Sequence, residues 1–125
     1  MTSLRTALEQ RLGSGSRLLY ARLWDDALRQ ARQCDVMILA LGESASRSGE
    51  DQCTATIDFP PGQEEFLEAM HRMGVPVVAL IFGGRPLNLT RVVEWADALL
   101  FAWHPGTTGG LPVADVLFGD VNPSG

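Results

Sequence analysis

Three acidic residues in one stretch of the chain have types and spacing that could do chemistry. Glu43 ends an apolar run, and Glu50 and Asp51 follow in a polar segment where Ser48-Gly49 keep the backbone pliable and the approach open. A carboxyl group held in a partly desolvated cleft has its pKa raised and can serve as a general acid. Residue types alone leave a plainer alternative open, in which all three are solvated loop acids. His104 directly follows another apolar run, where a general base can stand. No nucleophile neighbours it in sequence, so a hydrogen-bonded loop histidine is the simpler reading. Glycine-rich segments at 83–86 and 106–110 could wrap an anion, the second one at the start of a helix. Neither carries a P-loop or dinucleotide fingerprint, and both read most simply as tight turns. His71 falls on a polar helix face, and Trp24, Trp95 and Trp103 read as core or interface anchors.

The elements around these residues follow from apolar periodicity. Val36 to Leu41 and Val77 to Phe82 are apolar at every position, as is Ala98 to Trp103. Uninterrupted runs of this kind suit strands covered on both faces, as in a parallel sheet. The run Arg17 to Ala21 is expected to add a fourth strand. Between them lie helical patterns: Leu4, Ala7, Leu8 and Leu12 behind a Thr2 or Ser3 cap; Leu23, Ala27, Leu28, Ala31 and Cys34; Phe66, Leu67, Met70 and Met73 up to Gly74; a turn through Val92, Val93 and Trp95; and Val113 to Phe118. Strands alternating with helices predict an α/β three-layer sandwich with a mostly parallel sheet of about four strands, at 35–41, 76–82, 98–103 and 17–21. The 125 residues are expected to form a single domain, 1–125, with 42–61 as its functional insertion at the carboxyl end of a strand.

Composition narrows the function classes. The chain is 46% hydrophobic and 20% charged, enough for one real core. No apolar run approaches the roughly 20 residues of a membrane span. Net charge is −5, and all ten positive residues are arginines dispersed among acids, which argues against nucleic-acid and membrane-surface partners. Cys34 and Cys53 lack metal-ligand spacing and read as free thiols, so neither metal nor cofactor is expected. The opening Met1-Thr2-Ser3-Leu4 does not read as a signal peptide.

A set of ordered blocks resembles the C-terminal α/β sandwich domain of family 3 glycoside hydrolases, bacterial β-glucosidases in particular. They are Cys34 to Glu43, Gly49-Glu50, Ile57-Asp58-Phe59-Pro60 with Gly62-Gln63, Pro76-Val77-Val78, Gly84-Arg85-Pro86-Leu87, Ala96 to Gly106, and Ala114 to Gly125. The resemblance is close over about 30–125 and looser over 2–22. It implies a retaining β-glycosidase in which a barrel-like domain carries an aspartate nucleophile and this domain supplies the acid/base glutamate from its long loop. Retaining chemistry sets the two carboxyl groups about 5–5.5 Å apart across the sugar. By position Glu50 matches the acid/base, and Glu43 matches a glutamate that orients the loop or contacts sugar hydroxyls.

The chain departs from the family's pattern at several places. Gln52, Cys53 and Thr54 stand where an arginine is common, and Thr108 where glutamate is common. The family's first sandwich strand and the nucleophile domain have no counterpart in the sequence. The expectations that follow are a β-glucosidase domain inactive alone, a loop that needs the barrel surface to order it, and a homo-oligomer that covers an otherwise bare edge of the 36–41 strand. A stand-alone flavodoxin-like module binding an anion or nucleotide at Gly106 to Gly110, and a purely structural interaction domain, are the alternatives.

Overall fold

The computed structural model describes residues 2–47 and 51–124. Its elements in chain order are α1 (Leu4–Arg11), α2 (Trp24–Ala31), β1 (Met37–Gly42), a 3-10 turn (Ala45–Arg47), α3 (Gln63–His71), β2 (Val77–Phe82), α4 (Thr90–Trp95), β3 (Ala98–Trp103) and α5 (Gly110–Leu117). The chain divides into two compact units, residues 20–103 on one side and the two flanking segments, 2–19 with 104–124, on the other.

Residues 20–103 carry an open sheet with the strand order β1-β2-β3, parallel throughout. In register, Met37 lies beside Val77 and Gly42 beside Phe82. Cover on both faces is complete only at β2, where Val77, Ala79, Leu80 and Ile81 have no exposure; β1 buries Met37, Leu39 and Leu41 on one face and leaves Ala40 exposed on the other, and β3 is at best half-buried. The odd-numbered face of β1 and β2 packs on α2, α3 and α4 through Ala31, Leu67, Met70 and Val92, all essentially buried. Helix α3 starts at Gly62, whose φ of 85° suits glycine, and Glu64 and Glu65 in its first turn complement the helix dipole. At the start of β2 the Asp97 carboxylate accepts from the Val77 amide at 2.7 Å, tying the far ends of β2 and β3 together.

In the other unit α1 packs on α5. Ser3 caps α1 by accepting from the Thr6 amide at 3.1 Å. Gly110 lies directly on the backbone of Thr2 and Ser3, with no room for a Cβ. Arg11 at the end of α1 reaches Asp115 at 2.7 Å and pairs with Asp120, with its guanidinium over the Phe118 ring.

Two expectations need correction. Residues 17–21 are not a strand. The Tyr20 carbonyl that a sheet ladder would use instead accepts from the Gln30 side chain at 3.3 Å, and the boundary between the two units runs between Leu19 and Tyr20. Among the described residues the sheet therefore has three strands, and β1 pairs only with β2. Helix α5 also begins earlier than Val113. Gly109 already has helical angles, and Pro112 sits in the first turn, where a missing amide costs nothing. Strand limits shift by one or two residues, with β1 starting at Met37 and β2 at Val77.

Candidate active site

The carboxyl end of β1 is tightly constrained. Gly42 adopts φ 125°, and a Cβ there would collide with the Phe82 carbonyl, so only glycine lets β1 turn so closely against β2. The Gln63 side-chain amide clamps the turn, accepting from the Gly42 N–H at 2.6 Å and donating to the Gly42 carbonyl at 2.8 Å. The next amide, of Glu43, donates to the Phe82 carbonyl at 2.9 Å. Backbone and side-chain bonds together fix where the Glu43 carboxylate must lie.

That carboxylate is buried, its side chain only 1% exposed. Arg85 approaches it edge-on, with Nη2 donating to Oε1 at 2.8 Å and Nε to Oε1 and Oε2 at 3.1 and 3.2 Å. Arg47 Nε lies 3.7 Å from the same Oε1. A buried carboxylate held by a charge-assisted fork of this kind is a fixed group, not a wandering one. The Glu43 hydrogen bond is the main influence raising the Arg85 pKa; burial opposes it and the Coulomb attraction of Glu43 adds to it, so Arg85 stays charged. The third guanidinium nitrogen, Nη1, donates to the Thr56 carbonyl at 2.6 Å. The neighbouring Asn88 amide donates to the Ile57 carbonyl at 2.7 Å. Segment 83–88 thus touches both the outgoing and the returning limb of the long loop.

Beside this lattice lies an open cleft of about 340 Å³, lined by Gly42, Glu43, Ser44, Arg47, Pro60 and Gln63 among others. Glu50 lies outside the described residues, and Asp51 is exposed. His71 and His104 are exposed as well. Cys34 is half-buried and Cys53 exposed, both as free thiols. Among the described residues no cluster of His, Cys, Asp or Glu could hold a metal, and no helix is long and apolar enough to cross a membrane. Sequence reasoning assigned no role to Arg85, Gln63 or Arg47. Arg85 and Gln63 each lay within a quoted block, but their partners are 42 and 21 positions away and local pattern carries no signal for that.

The chain matches the glycosyl hydrolase family 3 C-terminal domain over residues 1–125. It belongs to that family. It is 42% identical to the periplasmic beta-glucosidase of Salmonella typhimurium over 101 residues, covering 81% of this chain and 13% of that protein. It is 32% identical to a beta-xylosidase of Formosa agariphila, covering 98% and 18%. Among solved structures it superposes on a mutant beta-glucosidase from Listeria innocua in complex with laminaribiose with a TM-score of 0.89 at 33% identity, over 99% of this chain and 18% of that one. The chain thus spans less than a fifth of these relatives, each of which is a much larger enzyme. The family 3 C-terminal fold, with its open parallel sheet, agrees with the α/β architecture expected from the apolar runs.

Proposed function

We propose that this chain supplies the general acid/base of a retaining β-glucosidase, acting on a terminal β-glucoside only together with a barrel-like domain that carries the nucleophile. The observation that carries this reading is the Glu43–Arg85–Thr56 lattice. It fixes both limbs of a loop that leaves the carboxyl end of a strand, the region where open α/β sheets place their ligand sites. In this reading Glu50, between those limbs in sequence, protonates the glycosidic oxygen as the leaving group departs. It then takes a proton from the water that attacks the glycosyl-enzyme. Glu43 acts by orienting the loop, since its carboxylate is buried and committed to Arg85. The chain alone lacks the second carboxylate, and the edge of β1 that has no strand partner among the described residues supports self-association to a homo-oligomer.

The test is turnover of β-glucosides by a full-length enzyme carrying these residues, by its E50Q variant and by the isolated chain. The isolated chain is expected to be inactive. E50Q is expected to lose about 10²–10⁴ in kcat/KM on an alkyl glucoside, whose leaving group needs a proton. It should lose far less on a dinitrophenyl glucoside, whose leaving group does not. Equal losses on both substrates, or Glu50-dependent turnover by the chain alone, would overturn the reading. Light scattering of the chain checks its self-association.

A further inference from the structure

The geometry points to Arg85 as a positioning residue that couples the two limbs of the 43–60 loop, so that the outgoing limb at Glu43 and the returning limb at Thr56 keep one spacing. This rests on the acid/base reading of the loop above and adds to it the residue that sets the loop's geometry. The outgoing limb has its own anchor without Arg85: Gln63 holds Gly42 from both sides, and Glu43 is bonded to the Phe82 carbonyl through its amide. The returning limb reaches segment 83–88 through the Thr56 carbonyl on Arg85 and the Ile57 carbonyl on the Asn88 amide. Among the described residues Arg85 bonds both limbs, spending Nε and Nη2 on Glu43 and Nη1 on Thr56.

Segment 83–88 is itself set in place. The Gly83 amide donates to the Trp103 carbonyl at 3.3 Å, and Leu87 is buried in the core. A planar guanidinium suits this task because its donors point in fixed, different directions from one rigid group. A lysine ammonium could reach Glu43 or Thr56 but not hold the two at a set distance. Glu43, buried and forked, serves as the post to which Arg85 ties the returning limb.

Amide hydrogen exchange on the 125-residue chain, followed residue by residue, tests the tie. R85Q and R85K are both expected to speed exchange of the Asn88 amide, which donates to the Ile57 carbonyl of the returning limb, by about tenfold or more, with the amides of Val77–Phe82 keeping their protection. E43Q, which keeps shape and loses charge, should give the same pattern more weakly. In the full-length enzyme R85K should lower kcat on an alkyl glucoside with KM little changed, and leave kcat/KM on the dinitrophenyl substrate nearly untouched. Unchanged exchange at the Asn88 amide in R85Q and R85K would overturn the inference, as would faster exchange spread equally through β2, because that would mark an ordinary structural pair. A leaving-group effect in E50Q without one in R85K would also overturn it while sparing Glu50. Loss of the effect in E50Q itself would instead break the reading of the loop.

Discussion

The two outer strands of the sheet end in opposite ways. At the end of β1 a glycine with no room for a Cβ, a bidentate amide clamp and a buried carboxylate on an arginine fork hold the chain to one path. At the end of β3 the register against β2 shifts by a residue, and Trp103 sits with φ 54°, 49% exposed, its ring 4.4 Å from that of Phe101. Residues 104–108 that follow are exposed. Tight packing around a buried charge is costly unless every partner is well placed, so its presence marks the end where position matters. The strain at Trp103 is the reverse case, a side chain kept outward at some cost in backbone energy.

Adding one methyl group at each end should break this comparison if it is wrong. Gly42→Ala combines an unfavourable φ with a collision against the Phe82 carbonyl, and a loss of about 3 kcal/mol or more in urea unfolding is expected. Gly106→Ala, with φ 74° but nothing near the new atom, should cost about 1 kcal/mol from backbone strain alone. Similar losses at the two sites would mean that the end of β1 has slack.

The strands themselves should differ in the same sense. Leu80 in β2 has no exposure, whereas Leu100 beside it on β3 is only half-buried. Leu80→Ala should cost about 3 kcal/mol and Leu100→Ala about half that, because the edge strand can relax toward solvent. Equal losses would show β3 to be as tightly covered as β2.

Three strands were legible because each is an apolar run long enough to need cover on both faces. Arg17 to Ala21 has the same local look, but a strand exists only where a ladder receives it, and here the Gln30 side chain takes the Tyr20 carbonyl. The candidate site was legible in part. Glu43 could be placed at the end of a strand because it follows one. Its burial could not be read, since the Arg85 that permits it is 42 residues away. Gly42 and Gln63 lay within recognisable blocks, yet their pairing is a property of the fold, not of either block.

The charge pair at β1 offers a pH test. Bonding to Glu43 raises the folded-state pKa of Arg85 above its ordinary value, so the stability this guanidinium contributes is fully present below that ordinary value. It is lost only as pH rises through the folded pKa, well into strong alkali. The gap in urea midpoint between the native sequence and R85Q should therefore stay flat from about pH 7 to about pH 10. A gap that closed within that window would mean that the tie depends on some other titrating group.

The smallest effect is expected at Trp103, and it is the sharpest probe of the open end. Trp103→Gly relieves a left-handed backbone worth about 1–2 kcal/mol in an L-residue. The same change loses the ring contact with Phe101, worth about 0.5–1.5 kcal/mol, and adds the unfolded-state freedom of glycine, about 0.5–1 kcal/mol. At mid-range these contributions leave a net loss of about 0.3 kcal/mol, and at their limits the chain's stability should fall by no more than about 1.5 kcal/mol. A loss larger than that in urea unfolding would make the indole a packing element and the two strand ends alike. A null result would leave Trp103 as a side chain held outward at no benefit to the isolated fold, as expected of a group whose contacts lie beyond it.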